Sequence, residues 1–396
     1  MKIAIISDCH FGFNEDALPQ AREALEKAME LKADAILMPG DIYDYRVPKQ
    51  ETVHETMNLF AELQRKTSGK HADVKISEEN EGTGNPLSHE GIPVLAIWGT
   101  HERRSKGLSN IIQILEAANM VVSVHAKKII LKKEGESVCI QGLGGVPEEY
   151  FRRTLEVAAF KPLKGAFNIF VFHQNLKELL PIEREEDVAM EELPAGFDLY
   201  VNGHIHWNQE LKINGRRLLV AGSTIVTQMK KNEEKPKGFY LFDTKTGKAE
   251  FERIEGRPFF FRELEFQNPT AKEVEERVDK ELQELLKAHC IKKPVIKIKL
   301  TGNLRKADGA VLELEKIIRK HSGRAQIFLD RDFESDDLKE KIDTIRNLRA
   351  EGRSVKELGM GILKSKIKEK KLEIKNPEEL FELLAEGEME EAIAQV

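Results

Sequence analysis

The chain has 396 residues with a formal net charge of −6 at pH 7, and hydrophobic residues make up 40% of it. Such a length exceeds what one hydrophobic core ordinarily serves, so two or three domains are expected. The negative charge argues against a uniformly basic nucleic-acid-binding protein, so any contact with phosphate groups would come from local basic patches or from metal ions.

The cysteines and the amino terminus indicate the compartment. Cys9, Cys139 and Cys290 have no paired spacing, which argues against a disulfide framework and against a zinc ribbon. The apolar run that opens the chain is too short for a signal peptide, and Asp8 ends it. Because no stretch approaches the length of a membrane span either, we expect a soluble, cytoplasmic protein without a membrane partner.

Short apolar runs alternate with amphipathic stretches in the first part of the chain. Strands are predicted over residues 2–7, 33–41 and 92–98, and helices over residues 18–31, 47–65 and 109–118. The intervening residues 67–90 are polar and contain several turn formers, which predicts a mobile surface loop or insertion.

Strand patterns dominate the next part of the chain. They cover residues 128–132, 137–141, 167–172, 199–202, 209–213, 217–221 and 239–243. Together with the preceding elements, they predict two mixed sheets packed face to face with helices outside. We therefore expect a four-layer α/β domain over residues 1–255.

The character of the chain changes again near residues 256–258. The predicted elements beyond this point are strands over 259–266, 294–300 and 325–329 and helices over 270–289 and 307–321. This pattern indicates a small α+β domain over residues 256–332. Residues 333–396 are highly charged and lack a strand pattern, so they are predicted to form a helical tail.

Several predicted strand ends carry side chains of the types that bind metal ions. These side chains are Asp8, His10, Asp41, His101, His173, His204 and His206. Taken singly, each has an ordinary explanation as a turn residue or as a hydrogen-bonded polar group. Because the ligands of α/β proteins gather at the carboxyl ends of the strands, we expect these side chains to share one site.

This donor set favours hydrolysis of a phosphate ester. Histidine and carboxylate donors with open positions suit Mn²⁺, Fe²⁺ or Zn²⁺, and the lack of thiolates argues against a structural zinc. A carboxylate that bridges two ions holds them about 3.5–4 Å apart, so both the attacking and the leaving oxygen can be stabilised. A divalent ion also lowers the pKa of a coordinated water from about 15.7 to about 7.

The motifs resemble a known family. The segments DCH (8–10), GD (40–41), GTHE (99–102) and GHIH (203–206), together with His173, resemble the five-motif signature of calcineurin-like metallophosphoesterases across residues 1–255. Within that superfamily, FVFHQN around His173, the small α+β domain and the charged tail resemble the double-strand-break repair nucleases of the meiotic-recombination-eleven and SbcD type. The archaeal members are closest in length and layout. The resemblance implies that the small domain caps a four-layer sandwich.

The resemblance also assigns roles to the candidate residues. One ion would be held by Asp8, His10, Asp41 and His206, and the other by Asp41, His173 and His204, with Asp41 bridging. His101 would donate a proton to the leaving 3′ oxygen, with Glu102 as a partner of its ring. Two Mn²⁺ ions are the expected cofactors, with Mg²⁺, Fe²⁺ or Zn²⁺ as alternatives.

The sequence departs from the nuclease pattern at two positions. Thr100 stands where the family has an asparagine whose carbonyl binds the second ion, so we expect that ion to be held more weakly. Asp44 stands where the nucleases have a histidine that steadies the phosphodiester. A carboxylate at this position would repel phosphate unless it is protonated or turned away.

Partners follow from the resemblance and from local sequence. The expected partners are DNA ends, a second copy of the chain bound through the helices over 47–65 and 109–118, and an SMC-like coiled-coil ATPase of the SbcC type bound by the C-terminal helices. The last helix is predicted to begin at Asn376 and Pro377 and to carry apolar residues such as Leu380, Phe381, Leu383 and Leu384. Arg103, Arg104 and Lys106 lie close behind the third strand end, so they are predicted to contact the DNA backbone.

Three functions remain open from the sequence. The first is a metal-dependent DNA exonuclease or endonuclease that acts at DNA ends in double-strand-break repair and is nucleoid-associated in a prokaryote. The second is a phosphodiesterase or phosphatase for a small molecule, which the core motifs alone would allow. The third is a DNA-end-binding scaffold with weakened catalysis, because of Thr100 and Asp44.

Overall fold

The structure is a computed structural model that describes residues 1–80, 83–105, 107–180, 187–303, 312–333, 360, 363–364, 367, 374 and 376–386. It divides into two compact units. Unit 1 comprises Met1–Arg262, Gln283–Lys297 and Arg319–Phe328, and unit 2 comprises Glu263–Leu282, Ile298–Ile318 and Leu329–Val396. The domain boundaries predicted after residues 255 and 332 stay predictions.

The described residues form the following elements. The strands are β1 (Lys2–Ile5), β2 (Ala35–Pro39), β3 (Lys75–Asn80), β4 (Thr83–Leu87), β5 (Val94–Ile97), β6 (Val122–Ser123), β7 (Lys128–Lys133), β8 (Glu136–Leu143), β9 (Phe167–Phe172), β10 (Leu199–Asn202), β11 (Gln209–Ile213), β12 (Arg216–Val220), β13 (Gly238–Asp243), β14 (Lys248–Arg253), β15 (Phe259–Gln267), β16 (Val295–Asn303) and β17 (Gln326–Phe333). The helices are α1 (Ala17–Glu30), α2 (Gln50–Thr67), α3 (Ile111–Ala117), α4 (Glu148–Ala158), α5 (Ala271–Leu285), α6 (Leu314–His321) and α7 (Pro377–Glu386). Five of them, β3, β4, β6, β14 and α4, have no counterpart among the elements predicted from the sequence.

Unit 1 contains two large mixed sheets. The first has the strand order β14-β13-β1-β2-β5-β6, and the second has the order β11-β12-β10-β9-β8-β7-β3-β4. In the first sheet, β1, β2, β5 and β6 run parallel. In the second, β8, β9, β10 and β12 run parallel. Each sheet therefore brings the carboxyl ends of several strands to one edge.

Aliphatic side chains from both sheets fill the space between them. Ile5 and Leu37 of the first sheet belong to the same buried cluster as Ile140, Val171 and Val201 of the second sheet. Because successive side chains of a strand point to opposite faces, the neighbours of these residues in sequence point away from this shared core. The two sheets therefore pack face to face, as predicted.

Helices cover the outer faces of the two sheets. Ile36 and Met38 on the outer face of the first sheet share a cluster with Leu25 of α1 and Phe60 of α2. On the outer face of the second sheet, aromatic side chains of β9 such as Phe170 share a cluster with residues of α4. The predicted four-layer α/β architecture is confirmed.

The prediction of a surface loop over residues 67–90 is wrong, because part of this segment forms strands. Strands β3 and β4 form a hairpin, and β3 pairs with β7 so that the hairpin extends the second sheet. Only Val74 and Ile76 of this region alternate as buried apolar residues, and two positions are too few to reveal a period of two. Charged and polar side chains are typical of an edge, where they discourage further pairing.

The small third sheet has the strand order β15-β16-β17. Helix α5 begins with a capping box, in which Thr270 and Glu273 each accept a hydrogen bond from the other's backbone N–H. Helix α6 begins at Leu314, and residues 307–311 of its predicted span lie outside the described residues. Of the predicted tail, α7 is described, and Asn376 accepts a hydrogen bond from the Glu379 backbone N–H at 3.4 Å, which confirms its N-cap.

Much of the predicted tail lies outside the described residues, so its helical character beyond α7 stays a prediction. No helix in the described part of the chain is both long and apolar enough to cross a membrane.

Candidate metal centre

The carboxyl ends of five parallel strands deliver the predicted ligands to one place. Asp8 and His10 follow β1, Asp41 follows β2 and His101 follows β5, while His173 follows β9 and His204 and His206 follow β10. The structure brings the ligands together as two groups, Asp8 with His10 and His206, and Asp41 with His173 and His204, and a third group joins His10 to Asp44 and His101. In each group the donor atoms lie within 4.8 Å of one another, a spacing that allows them to hold a common ion.

The first group combines one carboxylate and two imidazoles. The Nε2 atoms of His10 and His206 lie 3.3 Å apart, and Nε2 of His206 lies 3.6 Å from Oδ1 of Asp8. All three residues are buried. The other oxygen of the Asp8 carboxylate accepts a hydrogen bond from the Ser7 hydroxyl. These contacts leave the two Nε2 atoms and Oδ1 facing one another.

The second group has the same composition. Nε2 of His173 lies 3.1 Å from Oδ2 of Asp41, and the rings of His173 and His204 are 5.1 Å apart between centroids. Although His173 is fully buried, its Nε2 atom has no partner in hydrogen-bond geometry. A buried polar nitrogen that lacks a hydrogen bond but faces a carboxylate fits a ligand of a divalent cation.

Hydrogen bonds at the outer nitrogens set the tautomers of two ligands. Nδ1 of His173 donates to the Pro39 carbonyl oxygen at 2.8 Å, and Nδ1 of His10 donates to Oδ1 of Asp44 at 3.0 Å. A carbonyl oxygen can only accept, so Nδ1 of His173 carries the proton and its Nε2 keeps the lone pair that binds a metal ion. An outer oxygen partner of this kind is usual for metal-binding histidines.

Asp44 therefore has a role that the sequence left open. Of the two alternatives, protonated or turned away from the phosphate, its hydrogen bond to His10 supports the second. Its backbone carbonyl also accepts a hydrogen bond from Nδ1 of His101 at 2.7 Å. The residue thus orients two histidines, and its position three residues after Asp41 is the signal in the sequence.

The backbone at the strand ends is unusual. Asp8, His10, Asp41 and His204 have φ angles of 49°, 48°, 47° and 70°. Non-glycine residues in this left-handed region cost about 1–3 kcal/mol each and cluster at functional sites. Four of the six predicted metal ligands therefore occupy strained positions at the strand ends.

Two glycines allow His173 to pack at the junction of the sheets. A Cβ atom added at Gly40 or at Gly203 would lie 2.5 Å from Nδ1 of His173. Gly40 also has a φ of +96°, which side-chain-bearing residues rarely adopt. These glycines are therefore part of the site, because they make room for the hydrogen bond between His173 and Pro39.

The charges of the site are strongly coupled. Burial raises the pKa of Asp8 to about 6. Burial also disfavours ionised Asp41, but the charge and hydrogen bond of His173, together with the charges of His10 and His101, hold the pKa of Asp41 well below its ordinary value. Conversely, burial opposes a charge on His173, yet the Asp41 and Asp8 carboxylates raise its pKa to about 9. Burial, reinforced by the charge of His173, lowers the pKa of His204 to about 3. The buried carboxylates thus favour positive charge at the centre. At neutral pH and without an ion His173 carries that charge, and a divalent cation would take its place.

His101 lies at the rim of the centre. Its side chain is 43% exposed, and its ring centroid lies 5.0 Å from that of His10. Its backbone N–H donates to Oδ1 of Asp41 at 2.9 Å. Because Nδ1 is held by the carbonyl of Asp44, Nε2 remains available to a substrate. The role of His101 as a proton donor stays a prediction.

The predicted pairing of Glu102 with the His101 ring is wrong. Glu102 is fully buried, and its two oxygens accept hydrogen bonds from the backbone N–H groups of Tyr43 and Gly99 at 2.7 and 2.6 Å. Burial, with the charge of Asp41, raises the pKa of Glu102 to about 8. Glu102 therefore ties the turn after β5 to the turn after β2, and it does not contact the ring of its neighbour.

The remaining candidate residues are not ligands in either group. Thr100 is half-buried, as are Arg103 and Arg104. Arg104 donates to the Arg46 carbonyl oxygen at 3.4 Å. Lys106 lies outside the described residues, so the predicted DNA contact through this residue stays a prediction.

Behind His206 lie Thr227, Glu233 and Lys237, which have no role among the predictions from sequence. The hydroxyl of Thr227 contacts Nδ1 of His206, and Lys237 donates to the His206 carbonyl oxygen at 2.8 Å. No local pattern marks them, because they lie in and around a single short 3-10 helix (Lys231–Glu234) between β12 and β13 and become neighbours of His206 only when the sheets form.

The model of the calcineurin-like phosphoesterase family matches residues 1–208, which is more than half of the chain and includes both donor groups. The chain belongs to the calcineurin-like phosphoesterase family. This family assignment confirms the resemblance read from the motifs, and a divalent metal centre accords with it.

Curated relatives of this phosphoesterase are double-strand break repair proteins. It is 26% identical over 281 residues to Mre11 of Methanopyrus kandleri, covering 64% of this chain and 57% of that protein. It is 27% identical over 369 residues to Mre11 of Sulfurisphaera tokodaii, covering 88% of this chain and 86% of that protein. For human MRE11 the identity is 26%, and 67% of this chain matches 43% of that protein. The chain thus spans only about half the length of several of the relatives it matches.

Solved structures of the phosphoesterase family are also similar, although weakly. An archaeal phosphodiesterase has a TM-score of 0.31 with 14% identity and covers 64% of this chain and 100% of its own. A dimetal phosphatase from Danio rerio has a TM-score of 0.33 with 10% identity and covers 61% of this chain and 91% of its own. Scores this low add nothing to the family match.

Proposed function

We propose that this phosphoesterase is a metal-dependent nuclease that hydrolyses phosphodiesters at DNA ends in double-strand-break repair. The observation that carries the proposal is the pair of facing donor groups, each with one carboxylate and two histidines, at the joined edges of two sheets. Similarity to Mre11 proteins supports DNA as the substrate. It also supports a cytoplasmic, nucleoid-associated location in a prokaryote.

Two divalent ions fit this donor set, and we propose Mn²⁺ for both, with Mg²⁺, Fe²⁺ or Zn²⁺ as alternatives. Asp8, His10 and His206 would hold one ion and His173 and His204 the other, with Asp41 shared. Bound there, the ions would polarise the phosphodiester and supply a nucleophile at neutral pH. Thr100 offers a hydroxyl in place of an amide oxygen, so the second site is proposed to be weaker.

His101 is proposed to protonate the leaving 3′ oxygen. Its Nδ1 proton is held by the Asp44 carbonyl, so transfer would take place through the exposed Nε2. Its backbone is fixed to Oδ1 of Asp41, which would keep the donor at a constant distance from the shared carboxylate. Arg103 and Arg104, a few residues further on, are proposed to contact the DNA backbone together with Lys106.

A homodimer through α2 and α3 is part of the proposal. Large apolar side chains are exposed at these helices and at the turns before them: Tyr45 at 53%, Val47 at 69%, Leu108 at 54% and Ile114 at 47%. Large exposed apolar side chains at both of these helices are typical of an interface. A second copy of the chain would cover them.

An SMC-like ATPase of the SbcC type is the proposed partner of the C-terminal helices. The amphipathic composition of α7 supports this proposal. Leu380, however, is only 3% exposed, so this side chain is already covered by the chain itself. A variant that ends at residue 334 is expected to lose binding to the ATPase in co-purification and to keep manganese-dependent cleavage of a small phosphodiester.

The substrate class is tested with purified protein and Mn²⁺ on linear duplex, hairpin and single-stranded DNA, alongside bis-p-nitrophenyl phosphate. We expect cleavage of DNA, and its loss in His173→Ala. The matched control is His54→Ala, because His54 lies on α2 and bonds only its neighbour Asn58 among the described contacts. It should retain full activity.

The two other functions give different results in the same assay. Cleavage of the small diester without cleavage of any DNA would indicate a small-molecule phosphodiesterase. Binding of DNA ends without cleavage of either substrate would indicate a scaffold. The hydrogen bond between Asp44 and His10 argues against the scaffold, because the Asp44 carboxylate supports a proposed metal ligand.

A further inference from the structure

A buried ion pair lies behind the metal ligand His206. Lys237 and Glu233 are 8% and 2% exposed, and Nζ of Lys237 lies 3.2 Å from Oε1 of Glu233. Desolvation of two charges costs free energy that their mutual attraction often fails to recover, so such a pair is weak evidence of a contribution to stability. Its contacts indicate what else it does.

The ammonium group of Lys237 uses all three of its hydrogens. Besides Glu233, it donates to the backbone carbonyl oxygen of His206 and to the hydroxyl of Ser223, both at 2.8 Å. An ammonium has three donors and no acceptor, so each is satisfied and the side chain is fixed. One of these bonds holds the backbone of a residue that faces the metal centre.

The carboxylate of Glu233 organises the segment that contacts the His206 ring. Oε1 accepts from the backbone N–H of Thr227 at 3.1 Å and from its hydroxyl at 3.4 Å, and Oε2 accepts from the backbone N–H of Gln228 at 2.8 Å. The Thr227 hydroxyl in turn contacts Nδ1 of His206. Glu233 therefore fixes the backbone that carries this hydroxyl and offers the hydroxyl an acceptor.

These hydrogen bonds bear on the tautomer of His206. A threonine hydroxyl has a single hydrogen, and Oε1 of Glu233 offers it an acceptor at 3.4 Å. With that hydrogen turned to Glu233, the hydroxyl oxygen accepts the Nδ1 proton of His206, and the Nε2 lone pair faces Asp8 and His10. Hydrogen bonds thus connect His206 to Thr227 and Thr227 to Glu233. Lys237 contacts Glu233 and donates to the His206 carbonyl oxygen, so it links the end of this network to its start.

We propose that Lys237 and Glu233 are positioning residues that fix the orientation and tautomer of His206 as a metal ligand, through Thr227 and through the His206 backbone. The proposal rests on the metal centre of the proposed function. It gives His206 an outer partner equivalent to Pro39 for His173 and to Asp44 for His10. Loss of such an outer partner typically weakens metal affinity by about 10–100-fold.

Calorimetric titration of Mn²⁺ into metal-free Lys237→Met tests this role. In the unmodified chain we expect two binding events, of which His206→Ala removes one and His173→Ala removes the other. Lys237→Met should weaken by at least about tenfold the event that His206→Ala removes, and it should leave the other unchanged. Thr227→Val, which removes only the hydroxyl, should weaken the same event.

Lys133→Met is the matched control. Lys133 also pairs with carboxylates in unit 1, at 2.7 Å from Asp34 and 2.9 Å from Asp73, but neither is a metal ligand. This variant should bind both ions with unchanged affinity even where its melting temperature falls as far as that of Lys237→Met.

The outcomes separate this inference from the proposed function. Unchanged Mn²⁺ affinity in folded Lys237→Met and Thr227→Val, or an equal loss in Lys133→Met, would overturn the positioning role alone. Failure of the unmodified chain to bind Mn²⁺ would overturn both proposals. If circular dichroism shows that Lys237→Met is unfolded, the Mn²⁺ titration of Thr227→Val tests the positioning role instead.

Discussion

Oδ1 of Asp41 accepts a hydrogen bond from the backbone N–H of His101 at 2.9 Å, and Oδ2 of Asp41 lies 3.1 Å from Nε2 of His173. One carboxylate therefore connects the turn after β5 in the first sheet with the end of β9 in the second. His101 contributes its backbone to this connection, and its ring remains at the rim. The geometry thus separates a group that assembles the centre from a group that can act on a substrate.

Replacement of His101 by alanine should slow DNA cleavage without loss of metal. The ring is exposed and lies outside the two groups that would hold the ions. The hydrogen bond from the backbone N–H of residue 101 to Asp41 does not depend on the side chain, so alanine keeps it. A general acid contributes about 10²–10⁴-fold to a rate, and a loss of this size is expected. Mn²⁺ content measured by elemental analysis checks the separation, and loss of metal from the variant would exclude the proton-donor role.

Replacement of Asp44 by alanine should weaken the ion held by His10. The change removes the acceptor at 3.0 Å from Nδ1 of His10 but keeps the backbone carbonyl that holds His101. An affinity loss of about 10–100-fold at one of two sites is expected in Mn²⁺ calorimetry. Asp44→Asn, which retains an acceptor oxygen, should lose less. Mn²⁺ affinities in both variants that equal those of the unmodified protein would show that Asp44 does not support His10 as a ligand.

Replacement of Thr100 by asparagine should tighten the weaker ion. An amide oxygen reaches one atom further than the hydroxyl and is a better neutral donor to a hard cation. Two Mn²⁺ binding events of different affinity are expected in the unmodified protein. In the variant the difference between the two affinities should become smaller, and DNA cleavage should become faster. Two equally tight sites in the unmodified protein would contradict this explanation of Thr100.

The protein should be a dimer in solution, of about twice the 45.1 kDa of one chain by light scattering. Val47→Glu combined with Ile114→Glu should shift it to the monomer, since both side chains are exposed, Val47 in the turn before α2 and Ile114 on α3. Val157→Glu is the control, because Val157 is 79% exposed on α4. A mass of one chain for the unmodified protein at micromolar concentration would rule out the dimer.

The four-layer fold and the metal ligands could be predicted because each rests on a local signal. The strands before Asp8, Asp41 and His173 are mostly apolar, as expected of strands buried on both faces in parallel sheets. Each ligand lies within three residues of the end of its strand, so the topology of parallel strands is enough to bring them together. The hairpin of β3 and β4 has no such run, and its pairing with β7 is a property of the sheet rather than of the segment.

The supporting contacts could not be predicted, because they join residues distant in sequence. Glu102 is next to His101 in the chain, yet the turn after β5 directs it into the protein, toward Tyr43 and Gly99. Lys237 reaches His206 across 31 residues. Side-chain direction at a strained turn and contacts across the two sheets depend on tertiary structure, which no spacing in the sequence reports.

Cleavage of linear duplex DNA by the unmodified protein and by Asp41→Asn, each with Mn²⁺, tests the central claim most directly. Asp41 is the one ligand shared by both proposed ions, and asparagine keeps the size of the side chain and its acceptor oxygen for His101. We expect the unmodified protein to degrade the DNA and folded Asp41→Asn to retain neither bound metal nor measurable cleavage. Cleavage by Asp41→Asn at the unmodified rate, or none by the unmodified protein, would contradict a metal-dependent nuclease centred on this carboxylate.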